Sequence, residues 1–306
     1  MISAACHDLL AESQRYSAKF GDGLFNHLPM ALLALDRLGA DEARLRAFAA
    51  FYAQRLRPKS ARETEMASRF SRDLGERGAE ALLAEAVPRL ANGVGSQAFH
   101  GLIRLAYAVD SGDDVDVPDA LAAWTLGFSA LPADAGARPF ATFADAFEAV
   151  AADDRLARSV DGRGISGRIA KVAADPAFQP YRGGVEHVDL RQVATISAQV
   201  YASTADFTAL HMITGCHAMR VLQRFLPPEA FSNFAIAILA AYVTIGRPAI
   251  AVPAIEVPDD ATLAARAVKS DDDHDLKLVY SCLREEAEYG SGLHRLAAAV
   301  RLGIVR

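Results

Sequence analysis

Apolar residues recur along most of this chain at spacings of three and four, the mark of helices that bury one face. The pattern predicts helices over 28–38, 41–56, 63–71, 80–90, 97–109, 120–131 and 144–151, and again over 190–201, 207–225, 230–245, 261–268, 274–289 and 293–302. Start and stop signals agree with these limits. Gly39 and Asp41 separate the first two segments, Pro118 opens the segment holding Trp124, and Pro227-Pro228 closes one helix and begins the next. Strand-like alternation is confined to 249–257, where Pro253 within it and Pro258 directly after it demote it. No repeat of fixed period is found, which disfavours a solenoid. Irregular chain is expected over 111–117, 132–139, 176–184 and 248–260, none long enough to mark a domain boundary. The prediction is an all-α fold, one helical domain over residues 1–306.

Composition narrows the function classes. At 306 residues, 52% hydrophobic and 23% charged, the chain can bury a substantial core. A net charge of -6 argues against a nucleic-acid or anionic-membrane surface. The most apolar stretch, 234–245, ends at Gly246-Arg247-Pro248, too short to span a bilayer and suited to a buried helix. Cys6, Cys216 and Cys282 are far apart and odd in number, so they read as buried thiols rather than a disulfide framework or metal knuckle. With no basic-then-apolar leader at its start, the chain reads as soluble and cytoplasmic. Its oligomeric state is left open.

Gly162-Arg-Gly164-Ile-Ser-Gly167 has the spacing of a dinucleotide-binding loop, but that loop follows a parallel strand and opens a helix at the pyrophosphate. The residues before it, 153–160, are charged and helix-like, so a turn is expected. Glu-x-x-His and His-Glu-x-x-His are both absent, which removes ferritin-like di-iron bundles and the common zinc-protease signature. His274-Asp275 has no upstream histidine closer than His217, so an HD-type phosphohydrolase is a weak reading.

Position, not number, carries the histidine argument. His27, His100, His211 and His274 lie at or within helices among apolar neighbours, and four imidazoles converging from separate helices would make a metal site. Lys277, three residues after His274, shares its helical face. Singly, each is more often a core or capping residue. His217 points away from the His211 face, and His7, His187 and His294 read as surface or packing residues.

Asn-His-Leu-Pro-Met-Ala-Leu-Leu-Ala-Leu at 26–35, Phe-His-Gly-Leu-Ile-Arg-Leu-Ala-Tyr-Ala at 99–108, Leu-His-Met-Ile-Thr-Gly at 210–215 and His-Asp-Leu-Lys-Leu-Val-Tyr-Ser-Cys-Leu at 274–283 occur in one order. Together with Ala-Leu-Ala-Ala-Trp124, this set resembles the questin oxidase family, oxygenases of polycyclic aromatic polyketides. The resemblance implies a mostly helical fold, reaction of a small aromatic substrate with O2, and Baeyer–Villiger-type insertion or C–C cleavage of anthraquinone-like rings. It also implies His27, His100, His211, His274 and Lys277 as the metal-binding and catalytic set around non-haem iron. Its members have been regarded either as NADPH-dependent or as iron enzymes, so an NADPH requirement stays open. The stretch 133–190 has no counterpart.

Four neutral imidazoles bring no charge to balance iron, and an ammonium would repel it. A carbamate on Lys277 would supply an anionic ligand. Thr214 and Asn26 are the nearest candidates to orient the imidazole rings, and Tyr107, Trp124, Phe207 and Tyr280 are candidates to line a substrate pocket. Two readings compete with the iron oxygenase: a metal-free, NADPH-dependent Baeyer–Villiger oxidase, and a helical protein that binds an apolar ligand without catalysis.

Overall fold

The computed structural model describes residues 1–132 and 136–305. Its elements are helices, with one two-stranded antiparallel hairpin among the described residues, β1 (Lys19–Phe20) and β2 (Leu24–Phe25). The helices are α1 (Ala4–Ser13), α2 (Leu28–Arg37), α3 (Glu42–Ala53), α4 (Ala61–Arg77), α5 (Ala79–Leu90), α6 (His100–Asp110), α7 (Val117–Leu126) and α8 (Phe143–Ala152). They continue with α9 (Gly164–Ala174), α10 (Leu190–Thr204), α11 (Phe207–Leu222), α12 (Pro228–Thr244), α13 (Asp260–Ala267), α14 (Asp273–Tyr289) and α15 (Leu293–Arg301). The all-α expectation holds.

Local chemistry explains the boundaries. Ser60 and Glu63 form a reciprocal capping box that starts α4 two residues before the apolar pattern begins. Asp272 accepts from the His274 amide to start α14, which Gly290 ends at φ 64°. Helix α12 is buried all round from Phe234 to Thr244, as a core helix should be. Among the described residues no helix is long and apolar enough to cross a membrane.

Four helices form a closed ring: α2 packs on α6 and α14, and α11 packs on the same two. Helix α7 lies behind α6, where Gly101 permits close approach; a Cβ there would stand 2.5 Å from the Trp124 ring. One turn into α6, Arg104 donates from Nη2 to Asp116 Oδ1 at 2.8 Å, both side chains almost fully enclosed.

The structure corrects four expectations. Helix α6 begins at His100, not residue 97, because Gln97, Ala98 and Phe99 take left-handed φ of 54°, 55° and 68°. Residues 153–160 are not helical; the helix is α9, which starts at Gly164 with no strand before it. Helix α1 and the hairpin lie where no element was predicted. Residues 176–183, expected to be irregular, wind as 3-10 helix, while 133–135 of the expected 132–139 loop lie outside the described residues.

Candidate metal and oxygen site

Each helix of the ring brings one histidine to its interior. His27 is the residue preceding α2, where Pro29 favours the helical start and the Tyr52 hydroxyl accepts from the His27 amide at 3.1 Å. His100 is the first residue of α6, His211 sits in the middle of α11, and His274 lies in the first turn of α14. The His27 and His100 rings stack at 4.8 Å and 6°. His27 meets His274 edge-on at 4.8 Å, His100 meets His211 at 4.9 Å, and His211 meets His274 at 6.0 Å. Lys277, 2% exposed, lies one turn after Asp273, with its Nζ 4.0 Å from Asp273 Oδ2. All five residues named from the sequence are therefore brought together.

The ring nitrogens have a common arrangement. His100 Nδ1 is 2.5 Å from the Gln97 carbonyl and His211 Nδ1 is 2.8 Å from the Phe207 carbonyl. A carbonyl can only accept, so both rings carry the proton on Nδ1 and present an Nε2 lone pair. His27 Nδ1 is 2.5 Å from Asp273 Oδ2; His274 Nδ1 lies 3.2 Å from Asp272 Oδ1 and 3.3 Å from Asp273 Oδ2. Ionised carboxylates impose the same tautomer. The Nε2 atoms of His27 and His100 are buried and have no hydrogen-bond partner. A buried acceptor left so costs about 1–3 kcal/mol unless something else engages it.

Burial holds His27, His100 and His211 well below the usual histidine range, and the neighbouring cations push the same way. His274 is lowered too, by burial and by Lys277. The four rings are thus neutral near pH 7, as ligation requires. Burial also brings the Lys277 ammonium down to about 8, against the pull of Asp273 and Asp272.

Asp273 is the site residue that sequence reasoning missed. It offers a ligand atom within 4.8 Å of those of His27 and His274. It also answers the charge question, since a buried carboxylate already stands between His27 and Lys277. Its signal was the run Asp271-Asp272-Asp273-His274, which reads as an ordinary acidic helix start.

The ring-orienting candidates need correction. Thr214 Oγ1 bonds back to the Leu210 and His211 carbonyls of its own helix, and Asn26 bridges the Ser17 carbonyl and the Leu28 amide. Neither holds a ring. Of the four aromatic residues, Phe207 adjoins the histidines, 5.0 Å from His211 and 4.7 Å from His274, and is 46% exposed. Trp124 is fully enclosed and donates to the Gly93 carbonyl. Tyr107 lies behind Lys277, donating to its carbonyl, and Tyr280 bonds Asp110. These three are core residues because their hydroxyl and indole groups find protein partners inside the fold. Phe25, not anticipated, packs against His100 at 4.8 Å.

The other histidines stand apart. His217 turns to Glu285 at 3.0 Å, and His294 is completely buried. His7 and His187 are at the surface. All three cysteines are buried and free, as expected.

A match to the questin oxidase-like family spans residues 46–282, most of the chain. The chain belongs to the questin oxidase-like family. Its members are oxidoreductases of the oxidase or oxygenase kind. The matched stretch contains His100, His211, His274 and Lys277; His27 precedes it. No curated relative matches the chain.

Proposed function

We propose that this protein is a non-haem iron oxygenase that performs Baeyer–Villiger-type insertion or C–C cleavage on an anthraquinone-like aromatic substrate. The observation that carries this reading is the set of four inward imidazoles, each with its Nδ1 engaged by an acceptor, two of whose Nε2 atoms are buried and unpartnered. Imidazole donors with a nearby carboxylate suit iron, and rings held from behind are the usual support of such ligands. His27, His100, His211 and His274 would hold the ion, and Lys277 would complete the site.

Bound iron supplies the binding and activation of O2. The protein's own groups have separate tasks. Asp273 keeps the proton on His27 Nδ1 and places a negative charge beside the ligands. The Gln97 and Phe207 carbonyls fix two further rings without adding charge. Phe207 offers an exposed apolar face next to His211 and His274, where a flat aromatic substrate can stack. Tyr107 anchors the backbone of Lys277 from behind.

Lys277 cannot ligate as an ammonium. Its burial favours the free amine, which can take up carbon dioxide: a bond forms from Nζ to carbon, one proton leaves, and an anionic carbamate results. Protein exchanged into 13C-bicarbonate should show a carbamate resonance that is missing from Lys277→Met. No such resonance in the wild type removes the carbamate and leaves Asp273 as the site's anion.

Asp273→Asn keeps the shape but removes the charge and can reverse the hydrogen bond to His27. Affinity for Fe(II) or Co(II) should fall about 10–100-fold, the usual effect of losing a carboxylate behind a metal-bound histidine. Unchanged affinity in a metal titration would deny Asp273 this role.

Metal analysis of the purified protein, joined to O2 uptake with an anthraquinone, tests the function. Iron near one per chain and iron-dependent uptake support it. Uptake by iron-free protein that requires NADPH supports a metal-free oxidase instead, and neither activity leaves a ligand-binding protein.

A further inference from the structure

A cavity of about 500 Å³ is lined by none of the four site histidines. Its walls come from the hairpin, the start of α4 and the end of α7, and its apolar surface comes from Ala18, Pro58, Ala123 and Leu126. Lys19, Arg57 and Arg62 also line it, and none of them forms an ion pair among the described residues. The single carboxylate in the wall, Glu63, is already engaged. Its Oε1 accepts from the Ser17 hydroxyl at 2.6 Å and the Ala18 amide at 3.0 Å, and its Oε2 accepts from the Ser60 amide and hydroxyl at 2.8 Å. In an acidic protein this is a locally positive pocket with unspent charge.

Gln97 lines the cavity as well. Its backbone, the first of three consecutive left-handed residues, turns the carbonyl onto His100. Non-glycine residues in this conformation cost on the order of 1–2 kcal/mol each, and such strain concentrates at functional sites.

We propose that this cavity binds a small aromatic acid. The apolar walls take a flat ring system, and a cavity of this size suits two or three fused rings. Lys19, Arg57 and Arg62 receive the carboxylate. The site does not depend on a metal at the histidines, although Gln97, whose carbonyl holds the His100 ring, is in its wall.

The test uses the fluorescent probe 6-hydroxy-2-naphthoate against 2-naphthol, which keeps the rings and hydroxyl but lacks the carboxylate. Binding is measured to the full-length protein as purified and after chelation. The naphthoate should bind at least about 10-fold more tightly than the naphthol, with an affinity that weakens as salt rises. Arg57→Gln/Arg62→Gln should remove that advantage and leave naphthol binding within about two-fold of wild type. Both arginines are exposed, and circular dichroism checks that the double variant folds. Equal affinity for the two probes, or a naphthoate affinity untouched by the double variant, overturns the proposal. So does naphthoate binding that disappears on chelation, since the probe would then sit at the histidines. The iron-oxygenase reading is decided separately by metal content and O2 uptake.

Discussion

His211→Ala is expected to abolish iron loading and turnover while leaving the fold intact. His211 stands in the middle of α11, so alanine keeps the helix and even favours it. The lost ring removes one Nε2 from the set of four. If losing a supporting carboxylate costs about 10–100-fold in metal affinity, losing a ligand should cost at least about 100-fold. Iron per chain, measured after dialysis, should drop to a small fraction of the wild-type value, and O2 uptake with substrate should drop with it. The circular dichroism spectrum should be unchanged. Retained turnover with stoichiometric iron would count directly against a role for this histidine.

The largest effect on stability is expected from Asp116→Ala. Arg104 and Asp116 are an isolated-looking but fully enclosed pair, with side-chain exposures of 3% and 4%. Their mutual attraction repays much of the desolvation of each, so removing one strands the other. Alanine at 116 leaves a guanidinium inside the protein next to α7, with Asp119 the nearest remaining compensation but already held by Lys59 at 2.5 Å. The cost should be about 3–5 kcal/mol, a fall of roughly 6–15 °C in Tm for a chain of this size. Arg104→Met combined with Asp116→Leu should recover most of it, because a well-packed apolar pair needs no charge partner. A single variant that melts like wild type would mean the pair is more hydrated than its burial suggests. Because Arg104 sits one turn after His100, the single variant should also loosen the histidine site.

Much of this architecture is written in the sequence. Periodicity located the helices of the ring from their apolar spacing, although only α11 and α14 begin with a side-chain cap, from Asp206 and Asp272. The five site residues came from the ordered blocks that resemble the family, not from periodicity, which cannot say that distant helices meet. What escaped was of two kinds. The carbonyls of Gln97 and Phe207 that hold His100 and His211 are backbone groups, and any residue could supply them. The left-handed run at 97–99 contains no glycine or asparagine to announce it, so the sequence pattern starts the helix three residues too early. Asp273 was visible but ambiguous, since acidic residues at a helix start are ordinary. Tyr107, Trp124 and Tyr280 illustrate the converse: aromatic residues near a site in sequence went to the core, where Gly93, Lys277 and Asp110 satisfy their polar atoms.

The account turns on one cation shared by imidazoles from four helices, and an anomalous difference map collected at the iron absorption edge tests it most directly. It should show a single strong peak within about 2.0–2.2 Å of the Nε2 atoms of His27, His100, His211 and His274. A clean map from iron-replete crystals with the four rings in place, or a peak bound elsewhere, would contradict it.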